Sequence, residues 1–136
     1  MKIRATSTFR PGNYAALEAQ IVPRLIEGAT VGANIVLDIS QEQVPVDTGE
    51  LKASGRVSVE QQGTVISGYI VYGGDGVDYA AYVEFGTGRR GAGSAGAGPY
   101  AYNQNWPGMV AEPYMRPALD IGRADVLDAF RAALKL

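Results

Sequence analysis

A glycine-rich segment from residue 86 to residue 98 constrains the fold more than any other feature, because it interrupts the regular patterns on both sides. It contains six glycines in thirteen residues and reads GTGRRGAGSAGAG. Glycine loses more backbone freedom on folding than any other residue, so neither a helix nor a strand is favoured there. Since the chain of 136 residues has the length of one domain, we predict a single domain (1–136) with a long inserted loop, 86–113.

The same segment matches the dinucleotide-binding pattern G-x-G-x-x-G twice, at residues 86–91 and 91–96. A nucleotide site of that kind requires a helix directly after the third glycine, where the phosphates bind. More glycine and alanine follow each match, then Pro99, and no Gly-Lys-Ser/Thr sequence of a P-loop is present. We therefore predict a loop with Arg89 and Arg90 at its base, and no cofactor.

The composition argues against several classes of function. Histidine and cysteine are both absent, which removes the commonest general base near neutral pH and the best ligands for a zinc site. No run of apolar residues has the length of a signal peptide core or of a membrane span. The net charge of −2 disfavours broad attraction to a nucleic-acid backbone. We expect a protein of the cytoplasm, with no bound metal and no membrane contact.

Carboxylates are the only candidates for catalysis. A two-carboxylate hydrolase is possible in principle, so this remains an alternative, although no nucleophile–base pair is present and Ser54 has no histidine partner. We assign no catalytic residue. The carboxylates considered are Asp38, Glu42, Asp47, Glu50, Asp75, Asp78 and Glu84.

Apolar spacing predicts two helices. The first begins after a cap at Asn13 and ends near Gln43, because Pro45 disfavours helical angles at the residue before it. Pro23 predicts either a kink or the start of a second helix. The second predicted helix covers about residues 118–134. The small residues of the first helix, which would let another backbone approach closely, are Gly28, Ala29, Gly32 and Ala33.

The residues between these helices predict a compact turn, a hairpin and a short helix. In the turn, 44–51, Asp47 is expected to accept hydrogen bonds from the backbone ahead of it, and Gly49 to adopt left-handed angles. Residues 55–60 and 64–72 alternate like two strands, with Gly68 as a possible bulge. Residues 77–85 favour a short helix with an inward face. The residues expected on that face are Tyr79, Tyr82, Val83 and Phe85.

The predicted loop also carries large apolar side chains. A glycine-rich loop is a poor setting in which to bury such side chains, and exposed aromatic residues often mark interaction surfaces. Contact with a partner and packing within the chain both remain open. Together with Arg89 and Arg90, the candidate interaction residues are Tyr100, Tyr102, Trp106 and Met109.

Three short motifs in a fixed order resemble one family. They are VPVDTGELKAS at 44–54, DYAAYVEFGTG at 78–88 and PYMRPAL at 113–119, with the hairpin between the first two. In this order they resemble the head–tail joining proteins of long-tailed double-stranded DNA bacteriophages, also called neck or tail-completion proteins. The likeness extends from about Asn13 to the C-terminus. The link from 86 to 113 departs from the family, because it is longer and richer in glycine.

The resemblance implies an α+β fold, with a long N-terminal helix and a C-terminal helix packed on a small antiparallel sheet. It implies no enzymatic activity. It also implies a structural virion protein, whose copies form a ring of about six or twelve at the head–tail junction. The implied partners are the same chain and the phage head-connector and tail proteins, and DNA would pass through the lumen without specific binding. A cytoplasmic adaptor or morphogenesis factor outside the particle is the alternative, and a prophage would carry the same sequence.

The motif residues are expected to have structural roles. Glu84 and Arg116 are candidates for an ion pair that holds the short helix against the last one. The full set expected to be structural is Asp47, Thr48, Gly49, Glu84, Gly86, Arg116 and Pro117.

Overall fold

The computed structural model describes residues 1–8, 15–87 and 107–135. The fold is α+β, as the sequence predicted, with a small antiparallel sheet between an N-terminal and a C-terminal helix. In chain order the elements are β1 (Lys2–Thr8), α1 (Ala15–Gln43), α2 (Glu50–Ala53), β2 (Arg56–Gln62), β3 (Val65–Val71), α3 (Ala80–Phe85) and α4 (Met115–Leu134).

The sheet has three strands in the order β1-β3-β2. The predicted hairpin forms β2 and β3. The last strand, β3, is the central one, and its residue Ile70 pairs with Ile3 on one side and Val57 on the other. The first strand was not predicted. Its sequence, KIRATST, holds few strongly apolar side chains, so its pairing with β3 decides its conformation.

Gly68 does not form a bulge, contrary to the sequence prediction, because the register continues through it on both sides, opposite Ala5 and Val59. The glycine instead makes room for α1. A Cβ atom added at Gly68 would lie 3.0 Å from the carbonyl oxygen of Ala29. The missing side chain therefore brings the helix close to the sheet.

The first helix is continuous and ends at Gln43, as predicted, and the proposed cap Asn13 lies outside the described residues. Pro23 lies inside the helix, so the alternative of a second helix starting there is wrong. Proline removes one backbone donor, and Pro23 is on the exposed side, where water can satisfy the freed carbonyl group.

The face of α1 that carries Gly28 and Gly32 packs against α4. A Cβ atom at Gly28 would lie 2.7 Å from the ring of Phe130, and one at Gly32 would lie 3.0 Å from Val126. Gly122 is the matching small residue of α4, since a Cβ atom there would lie 3.1 Å from Val36. The prediction that small residues of the first helix allow close approach is confirmed.

A tyrosine pair occupies the core where α1, β3 and α4 meet. The hydroxyl of Tyr72 lies 2.7 Å from the hydroxyl of Ser40, and its ring meets that of Tyr114 edge to face, with 4.9 Å between the ring centroids. Burial raises the pKa of Tyr72. Burial also raises the pKa of Tyr114, and the nearby negative charge of Glu84 raises it further.

Candidate functional site

A buried carboxylate joins α3 to α4. Glu84 is 3% exposed. Its Oε2 atom accepts hydrogen bonds from the backbone N–H groups of Tyr114 and Met115, at 2.7 and 2.9 Å. Its Oε1 atom accepts a third from the N–H group of Arg116, at 3.0 Å. One side chain therefore holds the start of another helix.

These donors belong to the first turn of α4, where N–H groups have no acceptor within the helix. The N-cap residue Tyr114 makes no capping bond with its own side chain, so Glu84 supplies the cap from a distant part of the chain. A negative charge at this end also interacts favourably with the helix dipole. Pro117 fits the same turn, because a proline early in a helix loses no intrahelical bond.

The predicted ion pair between Glu84 and Arg116 is wrong, because the guanidinium group of Arg116 does not make the contact. The contact is made by the backbone of Arg116, whose side chain is exposed. The carboxylate of Glu84 already accepts hydrogen bonds from three backbone N–H groups. It thus links the second and third sequence motifs without the guanidinium group.

Gly86 ends α3 in a conformation that other residues rarely adopt, with φ at 69°. A Cβ atom there would lie 2.7 Å from the carbonyl oxygen of Met109. The backbone N–H of Thr87 donates to that same oxygen at 3.1 Å, and the N–H of Met109 donates to the hydroxyl of Thr87 at 2.8 Å. Glycine is therefore required where the chain after α3 meets the segment before α4.

The turn before α2 differs from its predicted hydrogen bonding. Gly49 has the expected positive φ, at 86°. The acceptor, however, is the hydroxyl of Thr48, which lies 3.4 Å from the N–H of Glu50. Asp47 is exposed, and its side chain makes no hydrogen bond to any residue that the structure describes. The predicted role of Asp47 thus belongs to Thr48.

The first two motifs meet at a cleft of about 270 Å³, beside the segment that leads into the third. The turn residues Pro45 to Gly49 form one side, and Tyr79 and Val83 from the second motif form another. Met109 and Glu112, just before the third motif, complete it. The cleft thus brings the turn before α2, the short helix α3 and the segment before α4 together.

The prediction of which face of the short helix points inward is wrong for its aromatic residues. Tyr79, Tyr82 and Phe85 are exposed, with Phe85 at 61%. The buried residues of α3 are Ala80, Val83 and Glu84, which share one face at helical spacing. Only Val83 was placed correctly, and the aromatic side chains are available for contacts.

An exposed apolar surface continues from α3 to the segment before α4. Val110 is 82% exposed, and Ile121 is also exposed. A shallow cleft of about 570 Å³ brings Phe85 and Ile121 together with Ala111 and Pro113. Met109 is exposed beside it. The other candidate interaction residues, Arg89, Arg90, Tyr100, Tyr102 and Trp106, lie outside the described residues.

A larger groove of about 900 Å³ lies between β1, the first half of α1, and α4. Its apolar walls include Leu17 and Leu127, both about half exposed. Arginine side chains from three different elements line it, namely Arg4, Arg24 and Arg123. The sequence predictions missed this groove because they missed β1, which forms one wall.

Within residues 1–8, 15–87 and 107–135, no helix has the length and apolar character needed to cross a membrane. In the same residues, no three carboxylate side chains come together in a group that could hold a metal ion.

Comparisons with known proteins give one match. Residues 15–86 match the model of the family described as "Bacteriophage HK97-gp10, putative tail-component". The matched region includes α1, the turn, the hairpin and α3, and it ends at Gly86. Neither the curated proteins nor the solved structures include a match to this chain.

Proposed function

Because the chain belongs to the HK97-gp10-like family of phage tail components, we propose that it forms part of a ring at the junction between the phage head and tail. In this role it is a structural virion protein and not an enzyme. Copies of the chain contact one another around the ring, and they contact head-connector proteins on one side and tail proteins on the other. DNA passes through the lumen.

The family match is the observation that carries this proposal. The exposed surfaces add support, because a subunit of an assembly needs apolar area outside its own core. Phe85, Val110 and Ile121 provide such area on one side of α4, and the groove with Leu17 and Leu127 provides it elsewhere. The net charge of −2 suits a lumen through which DNA slides without binding.

The proposal is tested by deleting the gene from its phage or prophage and examining the lysate by electron microscopy. We expect DNA-filled heads and separate tails that do not join, and restoration of joined particles when the wild-type chain is supplied from a plasmid. Normal joined virions from the deletion would overturn the proposal.

A second measurement separates the virion role from that of an assembly factor. Purified virions are analysed by quantitative mass spectrometry against the portal protein. A fixed number of copies per particle supports the ring. If the deletion blocks joining while purified virions lack the chain, it is an adaptor or morphogenesis factor that acts outside the particle.

A further inference from the structure

We propose that the segment Met109–Glu112 of one copy binds in the groove between β1, α1 and α4 of a second copy, and that this contact joins neighbours in the ring. The inference rests on the proposed function, and it names the two surfaces that meet. Both surfaces lie within the part of the chain that the structure describes.

The segment Met109–Glu112 is an anchored, exposed projection. The backbone bond from Thr87 to Met109 holds one end, at 3.1 Å, and the bond from Glu112 to the carbonyl group of Val83 holds the other, at 2.8 Å. Val110 lies between them at 82% exposure, which is the highest among the large apolar residues described. An anchored segment loses little conformational freedom when it binds.

The groove matches the segment in polarity. Leu17 and Leu127 expose apolar surface to it, as required to bury Val110. Arg24 and Arg123 line it without an ion pair to any described residue. Three arginines and one carboxylate, that of Asp120, line the groove, so its net charge is positive. The segment carries the exposed carboxylate of Glu112, which is attracted to that positive charge when the two surfaces bind.

Unpaired backbone groups also match. Met1 and Tyr72 exchange two backbone hydrogen bonds, each at 3.4 Å. Because such pairs alternate along an antiparallel ladder, the backbone groups of Arg4 and Thr6 are directed away from β3, towards the open edge of β1. In the described residues, the backbone groups of Val110 and Ala111 also make no hydrogen bond. An added segment can satisfy both sets, which is how peptides extend sheet edges.

Ser7 is a further sign that something binds in the groove. Its hydroxyl oxygen is buried and has no hydrogen-bond partner among the described residues, and Ser7 lines the groove. Buried polar atoms are nearly always hydrogen-bonded in folded proteins. A bound segment would bring the missing partner.

The two surfaces use different faces of α4 that border on each other at Asp120, and no residue of Met109–Glu112 lines the groove of its own copy. Ile121, beside the exposed segment, is two positions from Leu119 and from Arg123, which line the groove. Two positions correspond to about 200° around a helix. One copy therefore presents its segment away from its own groove, and the contact joins different copies head to tail, the arrangement that closes into rings.

The first experiment uses pairs of variants in sedimentation analysis. Val110→Asp removes the apolar projection, and Leu127→Asp places a charge in the groove. Each alone is expected to weaken self-association by about tenfold or more, because central apolar contacts dominate such interfaces. In a mixture of the two variants, the intact segment of the Leu127→Asp protein can bind the intact groove of the Val110→Asp protein. The remaining segment and groove are both altered, so we expect a heterodimer and no larger species. Val31→Asp, also at an exposed helical position, is the matched control and should associate like the wild type.

The second experiment exploits the absence of cysteine. A tagged Val110→Cys protein is mixed with the Leu127→Cys protein under mild oxidation. In the control, the same tagged protein is mixed with the Val31→Cys protein. We expect the heterodimeric disulfide to be at least tenfold more abundant in the first mixture. Equal yields of the heterodimeric disulfide in the two mixtures, or no heterodimer from the aspartate pair, would overturn the inference.

These results are separable from those for the proposed function. If the protein is present in purified virions and the Val110→Asp variant still joins heads to tails with wild-type efficiency, the ring position stands and this interface does not. If the chain is absent from virions, the proposed function fails first.

Discussion

The carboxylate of Glu84 and the backbone N–H of Tyr114 lie 2.7 Å apart, although thirty positions separate them in the chain. With the bonds to Met115 and Arg116, this contact makes the short α3 helix the cap of the C-terminal helix. Residues 86 to 113 are the connection between these two ends. The position of the start of α4 against α3 thus depends on a single buried side chain.

Replacement of Glu84 should therefore cost more than replacement of an exposed glutamate. Glu84→Ala leaves three backbone donors unpaired, two of them buried, and we expect a loss of about 3 kcal/mol in the free energy of unfolding. Glu84→Gln keeps a carbonyl acceptor but places an NH₂ group against the third donor, so about half that loss is expected. Urea denaturation measures both. Glu42→Ala on exposed α1 surface is the control, and equal midpoints for it and Glu84→Ala would contradict the capping role.

Gly86 and Gly49 allow backbone strain to be separated from a steric clash. Both have positive φ, at 69° and 86°, so alanine at either is expected to cost about 1 kcal/mol from strain alone. A Cβ atom at Gly49 meets nothing within 4 Å, whereas one at Gly86 would lie 2.7 Å from the oxygen of Met109. Gly86→Ala should lower the thermal midpoint clearly more than Gly49→Ala, and equal shifts would show that the segment before α4 moves aside freely.

Asp47 should matter little for folding, in contrast to the sequence prediction. Its side chain is exposed and accepts no hydrogen bond from the described residues, so Asp47→Ala should change the free energy of unfolding by less than about 0.5 kcal/mol. The hydroxyl of Thr48 accepts a long bond of 3.4 Å, and Thr48→Val should cost slightly more. Chemical denaturation of the two variants tests this order. A large loss for Asp47→Ala would restore the original interpretation.

The buried tyrosines predict a loss of stability at high pH. The pKa values of Tyr72 and Tyr114 are raised above the ordinary value of 10.0, chiefly by burial. Above about pH 10 the unfolded chain releases these protons and the folded chain keeps them, so the free energy of unfolding falls by up to about 1.4 kcal/mol per pH unit for each tyrosine. Below that pH their contribution is constant. Urea midpoints between pH 8 and pH 11 test this, and Tyr114→Phe should flatten the decline.

The glycine-rich segment is predicted to serve assembly and not folding. The hydrogen bonds between Thr87 and Met109, at 3.1 and 2.8 Å, already hold together the two residues on either side of 88–108. Deletion of residues 88–98 should therefore leave circular dichroism and the thermal midpoint nearly unchanged, while it weakens ring formation or tail attachment. Arg89→Ala with Arg90→Ala is a milder variant with the same expected direction. A deletion that fails to fold would place the segment in the core.

The local patterns of the sequence predicted several elements correctly. The end of α1 at Gln43, the hairpin of β2 and β3, and the short α3 helix all follow from proline placement, alternation and turn residues. The final helix begins at Met115, three residues before the predicted start, because its capping group comes from Glu84. Leu127 is an apolar residue within the predicted range of that helix, yet it is about half exposed.

Other features depend on contacts between distant residues. The strand β1 forms because β3 offers it an edge, and its own sequence gives only a weak signal. The burial of α3 is decided by which face meets α4, so Ala80 and Glu84 are buried while Phe85 is exposed. Hydrophobicity alone predicts the opposite, since phenylalanine is ordinarily the more buried residue.

By itself, the amino-acid sequence determined the α+β class, the order of most elements and the likeness to phage head–tail joining proteins, because each depends on residues close together in the chain. The tertiary structure alone decided the partner of Glu84, the open edge of β1 and the groove beside Leu127. These depend on which surfaces meet across long separations, where burial and hydrogen-bond satisfaction override local preference.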